Sequence, residues 1–426
     1  MIEVRKESET FIKKALLIGV QDAGTGAAEA REHLSELSEL VKTLGINDRQ
    51  EFFVVLRESN PKYLVGSGKA QEIADLAADS KSECIIFDSE LSPSQQRNLE
   101  QLAKLPVMDR QEVIIDIFAG RARTKEASIQ VELARLQYFL PRLKRAWTHL
   151  SRQRGGALGT RGEGEQQIEV DRRIIKRKIS VLQDSLHQIR KRREVQRTLS
   201  ERNQIPKVAI VGYTNAGKSS MLKAMTGADV YVEDKLFATL DTTTRRLELP
   251  DRQDIILSDT VGFIRKLPHS LVEAFKSTLE EAVFADLLIH VLDISSPFWE
   301  EHLKTTLLVI EELGAGGKEM ITVLNKADIQ TDPFARAVFK TVLPEAILVS
   351  AKTGEGLDAL KDEISKRLRK FSTHMLLKIP PDRHDVLALA HRYGKVLKTE
   401  YAKNGTMTVS ANIPKNHHAK FDSFIK

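Results

Sequence analysis

Sulfur chemistry is nearly absent from this chain. Its 426 residues hold one cysteine, Cys84, so no internal disulfide can form and no thiolate cluster for zinc is available. Long apolar runs are missing as well. The most hydrophobic stretch, AVFADLLIHVLDI, is interrupted by Asp286, His290 and Asp293, and the opening MIEVRKESET is charged, with no signal-peptide core. These absences lead us to expect a soluble, cytoplasmic protein whose membrane contact is at most peripheral. His417 and His418 read as a polar turn, and no set of residues has metal-ligand spacing around them. What is present is a 41% share of hydrophobic residues, ample core for about three domains.

The charge is small in total and uneven in place. From Arg142 to Arg202 there are 17 Lys and Arg against 7 Asp and Glu, in a chain whose net charge is only +6. The remainder is therefore acidic, and the basicity belongs to one segment. Before it, short apolar runs at 14–20, 51–57, 84–88 and 106–109 alternate with helical patterns at 27–43, 69–79 and 93–104, which predicts a small α/β domain over 1–119. GSGK at 66–69 is a turn opening a helix in this reading, not a second phosphate site. Two helical stretches follow, 122–152 and 166–202. The first carries Val131, Leu133, Leu136, Leu140 and Leu143, the second Ile168, Ile175, Ile179, Leu182, Leu186 and Ile189. They are joined by GGALGTRGEGE at 155–165, so 120–204 is expected to be a long helical hairpin with a glycine-rich tip. Arg152, Arg154 and Arg161 flank that tip, which suits phosphate backbones rather than base edges. Trp147 and His149 could stack on bases, although hairpin packing explains a lone tryptophan equally well.

Residues 205–372 carry four motifs in G-domain order. KVAIVG reads as a buried strand running into Gly212, Tyr213, Thr214, Asn215, Ala216, Gly217, Lys218 and Ser219, a G-x-x-x-x-G-K-[ST] loop that opens a helix. In such a loop backbone N–H groups face phosphate oxygens, Lys218 reaches the β- and γ-phosphates, and the Ser219 hydroxyl binds Mg2+. Asp259, Thr260, Val261 and Gly262 follow a second strand. There Asp259 is suited to hold Mg2+ through water and the Gly262 N–H to meet the γ-phosphate. Asn325, Lys326, Ala327 and Asp328 decide the base: Asp328 can accept from the guanine N1–H and amino group, donors that adenine lacks. Ser350, Ala351 and Lys352 complete the set, with the Ala351 backbone placed to cap the guanine oxygen. The nucleotide these motifs fit is GTP.

The residue after Gly262 is Phe263, where Ras-like enzymes carry a glutamine that orients water. Slow intrinsic hydrolysis is the expectation. Asn215 resembles the loop asparagine of GTPases that use K+ as a stand-in for an arginine finger, and it reads equally well as a loop residue bonding its neighbours. Beyond 373 the pattern MLLKIP, DVLALAHRYGKVLKTEY, TMTVSANIP, KFDSFIK reads as strand, long helix, strand and short helix, a small α+β domain over 373–426.

Taken together, PKYLVGSGKAQEI, LSPSQQRNLE, RARTKEASIQVELARLQY, WTHLSRQRGG, RGEGEQQIEVDRR, GYTNAGKS, LFATLD and DTVGFIRKLPH resemble HflX-type ribosome-associated GTPases over most of the chain. The fold implied is α/β: a P-loop GTPase domain preceded by a small α/β domain and a helical hairpin, and followed by a small α+β domain. The resemblance also implies a partner, the large (50S) ribosomal subunit and its rRNA. The hairpin tip would lie near the peptidyl transferase centre, and the activity would be splitting or rescue of stalled ribosomes. DNA is not an expected partner, and a monomer is. An RNA-remodelling NTPase and a large-subunit assembly GTPase remain alternative readings. The match to LFATLD adds Phe237, Ala238, Thr239, Leu240 and Asp241 as switch residues. Thr239 is favoured over Thr243 as the second Mg2+ ligand, so Lys218, Thr239 and Gly262 are the expected catalytic set. Two departures stand out: Gly162, Glu163, Gly164 and Glu165 replace a tip that commonly contains proline, and Thr242 stands where a proline is common.

Overall fold

A computed structural model describes residues 12–425, apart from 23, 144–160, 201–204, 228–235, 238–241, 252, 266–280, 331, 369–371, 403–404, 415–417 and 419. The chain divides into two compact units. The first is built mainly from residues 1–186 and the second from the rest of the chain, with Leu236 and Phe237 counted in the first.

In the first unit, four parallel strands lie in the order β2-β1-β3-β4: β1 (Lys14–Gln21), β2 (Asp48–Val55), β3 (Cys84–Phe87) and β4 (Val107–Asp109). Parallel neighbours need crossovers, supplied by α1 (Ala27–Thr43), α2 (Ser67–Asp79) and α3 (Pro93–Ala103). Leu16, Ile18, Ile85 and Phe87 share one core with Ala70, Ile73 and Ala77 of α2 and Leu99 of α3. The expected strand at 51–57 begins earlier, at Asp48, in register with Lys14. Cys84 is buried in β3, where burial pushes its thiol up to about 12, so it is an inert core residue. GSGK does open a helix, with Gly66 in the N-cap position of α2.

Beyond β4 come α4 (Arg110–Arg121) and α5 (Lys125–Phe139), then a single 3-10 turn at Leu140–Arg142. Within the expected first hairpin helix, 122–152, the described α-helix is started by the Thr124 cap, whose hydroxyl accepts from Ala127 N–H at 3.1 Å, and residues 144–152 lie outside the described residues. Pro141 has no N–H to extend it. Its end is rooted in the first unit. Arg142, 8% exposed, donates to Gln96 Oε1 at 2.9 Å, to the Tyr138 carbonyl at 3.0 Å and to the Leu91 carbonyl at 2.8 Å. Tyr138 donates its phenol to Asp109 at 3.0 Å, and burial raises the pKa of both groups. A second buried cation, Arg110, binds Asp88 at 2.8 Å and also pairs with Glu36.

The second helix, α6 (Arg161–Ser200), takes in the last residues of the expected tip. Residues 161–165 are helical, so the glycines at 162 and 164 do not interrupt the turn, and the rest of the tip, with Trp147 and His149, falls outside the described residues. The periodic stripe on α6 holds: Ile175, Ile179, Leu182, Leu186 and Ile189 are half-buried or buried, whereas Ile174 and Val181 point out.

The second unit contains a six-stranded sheet in the order β10-β9-β8-β5-β7-β6. Its strands are β5 (Lys207–Gly212), β6 (Thr243–Glu248), β7 (Asp254–Asp259), β8 (Leu287–Asp293), β9 (Met320–Asn325) and β10 (Ile347–Leu348). Only β6, on one edge, is antiparallel. The helices are α7 (Lys218–Thr226), α8 (Trp299–Glu312), α9 (Pro333–Val342) and α10 (Leu357–Leu368). Alternation sorts the faces: Leu287, Ile289 and Val291 join Met221, Leu222, Leu360 and Ile364 in one core, which leaves His290 on the other side, toward α8. After β5 the chain leaves a strand whose neighbours, β7 and β8, lie on opposite sides, the switch point where open α/β sheets place ligands.

The C-terminal region corrects one reading. DVLALAHRYGKVLKTEY is not one helix: α11 (His384–Tyr393) stops at Gly394 and β12 (Lys395–Tyr401) follows. A Cβ at Gly394 would lie 2.6 Å from the Asn412 carbonyl, so this close turn requires glycine. With β11 (Ser372–Ile379) and β13 (Met407–Pro414) it forms an antiparallel sheet, order β11-β13-β12.

Candidate functional site: a glycine loop at the switch point

Gly212 ends β5 against β8 so tightly that a Cβ would sit 2.3 Å from the Val291 carbonyl oxygen. The loop then turns through two left-handed residues, Asn215 at φ 58° and Gly217 at φ 94°, before α7 begins at Lys218. Asparagine tolerates that conformation through its short polar side chain, and Asn215 is exposed. Gly217 cannot be anything larger, since a Cβ there would meet Asn325 Nδ2 at 2.3 Å. Lys218 is buried and its ammonium donates to the Tyr213 carbonyl at 2.7 Å. Burial lowers its pKa to about 8, against the smaller opposing pull of Asp259.

The DTVG segment is sewn to this loop. Ser219 Oγ donates to Asp259 Oδ2 at 2.6 Å, and the Thr260 hydroxyl anchors to the Ile210 carbonyl at 2.7 Å. Val261 is buried beside them. Phe263 N–H donates to the Gly212 carbonyl at 3.1 Å and Thr214 N–H donates to the Phe263 carbonyl at 2.7 Å. Gly262 lies so close that a Cβ would be 2.8 Å from Thr214 Cα and 2.9 Å from Lys218 Nζ. Phe263 itself is 1% exposed, a packed ring that offers water no hydrogen bond. An oxygen-only donor set of hydroxyl and carboxylate suits a hard cation such as Mg2+.

The base-recognition motifs meet the loop through Asn325. Its amide, 2% exposed, donates to the Ala216 carbonyl at 2.8 Å and accepts from Ala351 N–H at 3.1 Å. The Ala351 N–H that the sequence offers to a guanine oxygen is therefore directed at Asn325 in this arrangement. Asp328 accepts from the Ser350 hydroxyl at 2.7 Å, and Lys326, itself at φ 65°, pairs with Asp293 at 2.7 Å. Ala327 and Ser350 are fully buried, and Lys352 is exposed.

The structure gathers the four motif loops, and of the switch residues only Phe237 is described. Phe237 belongs to the first unit, 3% exposed, its ring 4.6 Å from that of Phe118, so it is a packing residue there. Ala238, Thr239, Leu240 and Asp241 lie outside the described residues. Thr243 starts strand β6, paired with Asp259. The packing of two residues already named escaped the sequence reading. Tyr213 stacks on His302 of α8, and His290 sits fully buried in β8 with neither ring nitrogen hydrogen-bonded among the described residues. His290 was visible only as a polar break in an apolar run; the Tyr213 contact is tertiary and left no local signal.

Strand, glycine loop and helix, with a DxxG carboxylate bonded to the loop serine at the switch point of a parallel sheet, define a P-loop GTPase domain. Family profiles agree along the chain: a GTP-binding GTPase N-terminal region matches residues 31–119, a GTP-binding GTPase middle region 121–199, a 50S ribosome-binding GTPase 207–326, and an HflX C-terminal domain 339–423. GTPase HflX of Akkermansia muciniphila is 47% identical over 440 residues, covering 100% of this chain and 99% of that protein. GTPase HflX of Chlamydia pneumoniae is 42% identical, covering 99% and 89%. Among solved structures, a GTP-binding protein of Sulfolobus solfataricus in complex with GDP matches at 27% identity and a TM-score of 0.44, over 84% of this chain and 99% of that one. The chain belongs to the HflX family of GTPases and is a GTP-hydrolysing enzyme. No described helix is long and apolar enough to cross a membrane.

Proposed function

We propose that this chain is a GTP-switched factor of the large ribosomal subunit, whose basic helical segment acts on rRNA while the nucleotide site times binding and release. The observation that carries the nucleotide part is the Asn325 bridge, which holds the phosphate loop and the base-side loop in one rigid frame. The ribosomal part is supported by the HflX relatives and by the 50S ribosome-binding description of the matching profile.

In this reading the loop amides of residues 215–219 receive the phosphates, and Lys218 exchanges the Tyr213 carbonyl for β- and γ-phosphate oxygens. Ser219 and Thr239 are the Mg2+ ligands, with Asp259 acting through water. The ion, when bound, neutralises charge developing on the phosphoryl oxygens. Asp328 reads the guanine edge. The Gly262 N–H meets the γ-phosphate. Asn215, exposed at the turn of the loop, is the residue to hold K+ against the same oxygens; hydrolysis rates equal in K+ and Na+ would remove that role. Because Phe263 cannot orient water, intrinsic turnover is slow and the subunit accelerates it.

The decisive experiment is sedimentation of whole ribosomes with the protein and GTP, GDP or a non-hydrolysable analogue, alongside GTP hydrolysis with and without large subunits. Free subunits only in the GTP-like states, together with stimulated hydrolysis, support a splitting or rescue factor. Binding to free large subunits with intact ribosomes untouched would favour assembly instead. Equal hydrolysis rates with and without subunits would overturn ribosome stimulation.

A further inference from the structure

We propose that Tyr213 and His302 form a positioning pair that fixes where the Gly262 amide meets a γ-phosphate. This rests on the reading of Lys218 and Gly262 as phosphate-facing groups. Among the described residues, three hydrogen bonds are seen between the segment after Gly262 and the loop. Two are purely main-chain: Phe263 N–H to the Gly212 carbonyl at 3.1 Å, and Thr214 N–H to the Phe263 carbonyl at 2.7 Å. The third uses a side chain, with Arg265 N–H donating to the Tyr213 phenol oxygen at 3.0 Å. It is the one of the three that a substitution can delete without touching the backbone.

The phenol is held in place from behind. The Tyr213 ring is 6% exposed and lies 4.0 Å from the His302 ring, centroid to centroid, with the planes 14° apart. Helix α8 therefore sets the ring's orientation, and the ring sets the position of Arg265 N–H. The main chain of the same tyrosine accepts from Lys218 Nζ at 2.7 Å. One residue thus holds the lysine through its carbonyl until phosphate takes its place, and the DxxG segment through its hydroxyl. Gly262 lies between these two anchors, with no room for even a Cβ beside Thr214 and Lys218. A shift of the 263–265 segment moves the Gly262 amide relative to the lysine, and misplacements of about 1 Å are enough to slow a reaction substantially.

Plain core packing is the competing account of a buried tyrosine, and the two differ in what the hydroxyl does. The test uses the full chain with Tyr213→Phe, His302→Ala, His302→Phe and the double variant Tyr213→Phe/His302→Ala. Single-turnover GTP hydrolysis and GDP affinity are measured for each. Tyr213→Phe is expected to lower the hydrolysis rate about fivefold, the worth of one hydrogen bond, with GDP affinity held to within roughly twofold. His302→Ala should lower the rate in the same direction, His302→Phe should restore it by keeping the stack, and the double variant should fall no further than the worse single one. A Tyr213→Phe rate equal to wild type overturns the proposal, as does a parallel fall in rate and GDP affinity. Failure of the underlying site reading would look different: Lys218→Ala would bind GDP as tightly as wild type, whatever Tyr213 does.

Discussion

Removing the Asn325 amide should loosen both halves of the nucleotide site at once. Asn325→Ala deletes the 2.8 Å bond to the Ala216 carbonyl and the 3.1 Å bond from Ala351 N–H, in a position 2% exposed. Each bond contributes about 1 kcal/mol net, and stranding a buried partner group adds to the loss, so about 2–3 kcal/mol is expected in total. For a domain of this size that corresponds to a fall of roughly 5–10 °C in the melting of the GTPase domain. Loss of about 2–3 kcal/mol of loop organisation would also weaken GDP binding by roughly 30- to 150-fold. Asn325→Asp sharpens the test, because a carboxylate can still accept from Ala351 but faces the Ala216 carbonyl with no donor. It should therefore match or exceed the alanine variant in damage. The assays are calorimetric melting with and without GDP and equilibrium binding of a fluorescent GDP analogue. If Asn325→Ala melts with wild type and binds GDP as well, the bridge carries no energy and the single-frame argument is wrong.

Two further outcomes follow from the same geometry. Gly262→Ala forces a Cβ to within 2.9 Å of Lys218 Nζ, so hydrolysis should fall by at least about a hundredfold, a loss typical of displaced transition-state donors, while the protein still melts cooperatively; near-normal turnover would refute the placement of Gly262. His290 is held down to about 4, first by burial and second by the charge of Lys218, whereas an unfolded histidine titrates near 6.5. Between those values the unfolded state binds the extra proton, so stability is lost as pH falls through the window, by about 3 kcal/mol in all. His290→Phe should flatten that part of the melting curve against pH relative to wild type, and an identical slope would refute the assignment.

Much of the site was legible because its chemistry is local. A phosphate loop needs Gly212 against the Val291 backbone and Gly217 against the Asn325 amide, and the base-side motif needs Asn325 and Asp328 at the end of a strand; these requirements leave fixed letters at fixed spacing. The α6 stripe was legible for the same reason, since one buried helix face imposes its period on the sequence. What escaped was settled by partners distant in the chain. KVLKTEY follows a helix without a clear break in hydrophobicity, and only pairing with β13 makes it a strand. Residues 161–165 read as loop because glycine is a poor helix former, yet they continue α6, where the long helix outweighs a cost of about 1 kcal/mol per glycine. Tyr213 looked like one more loop letter, and its stack on His302 exists only once α8 covers the sheet.

The Arg142 clamp has a mechanical meaning. Its guanidinium grips Gln96, Leu91 and the preceding turn, and lies 3.7 Å over the Tyr138 ring, at the first residue of the basic stretch. A tug on that stretch would therefore not be absorbed by a swivel at its base. The load would pass through a stiff buried joint into the end of β4 and the parallel sheet behind it, as the shank of a tool passes force to its handle.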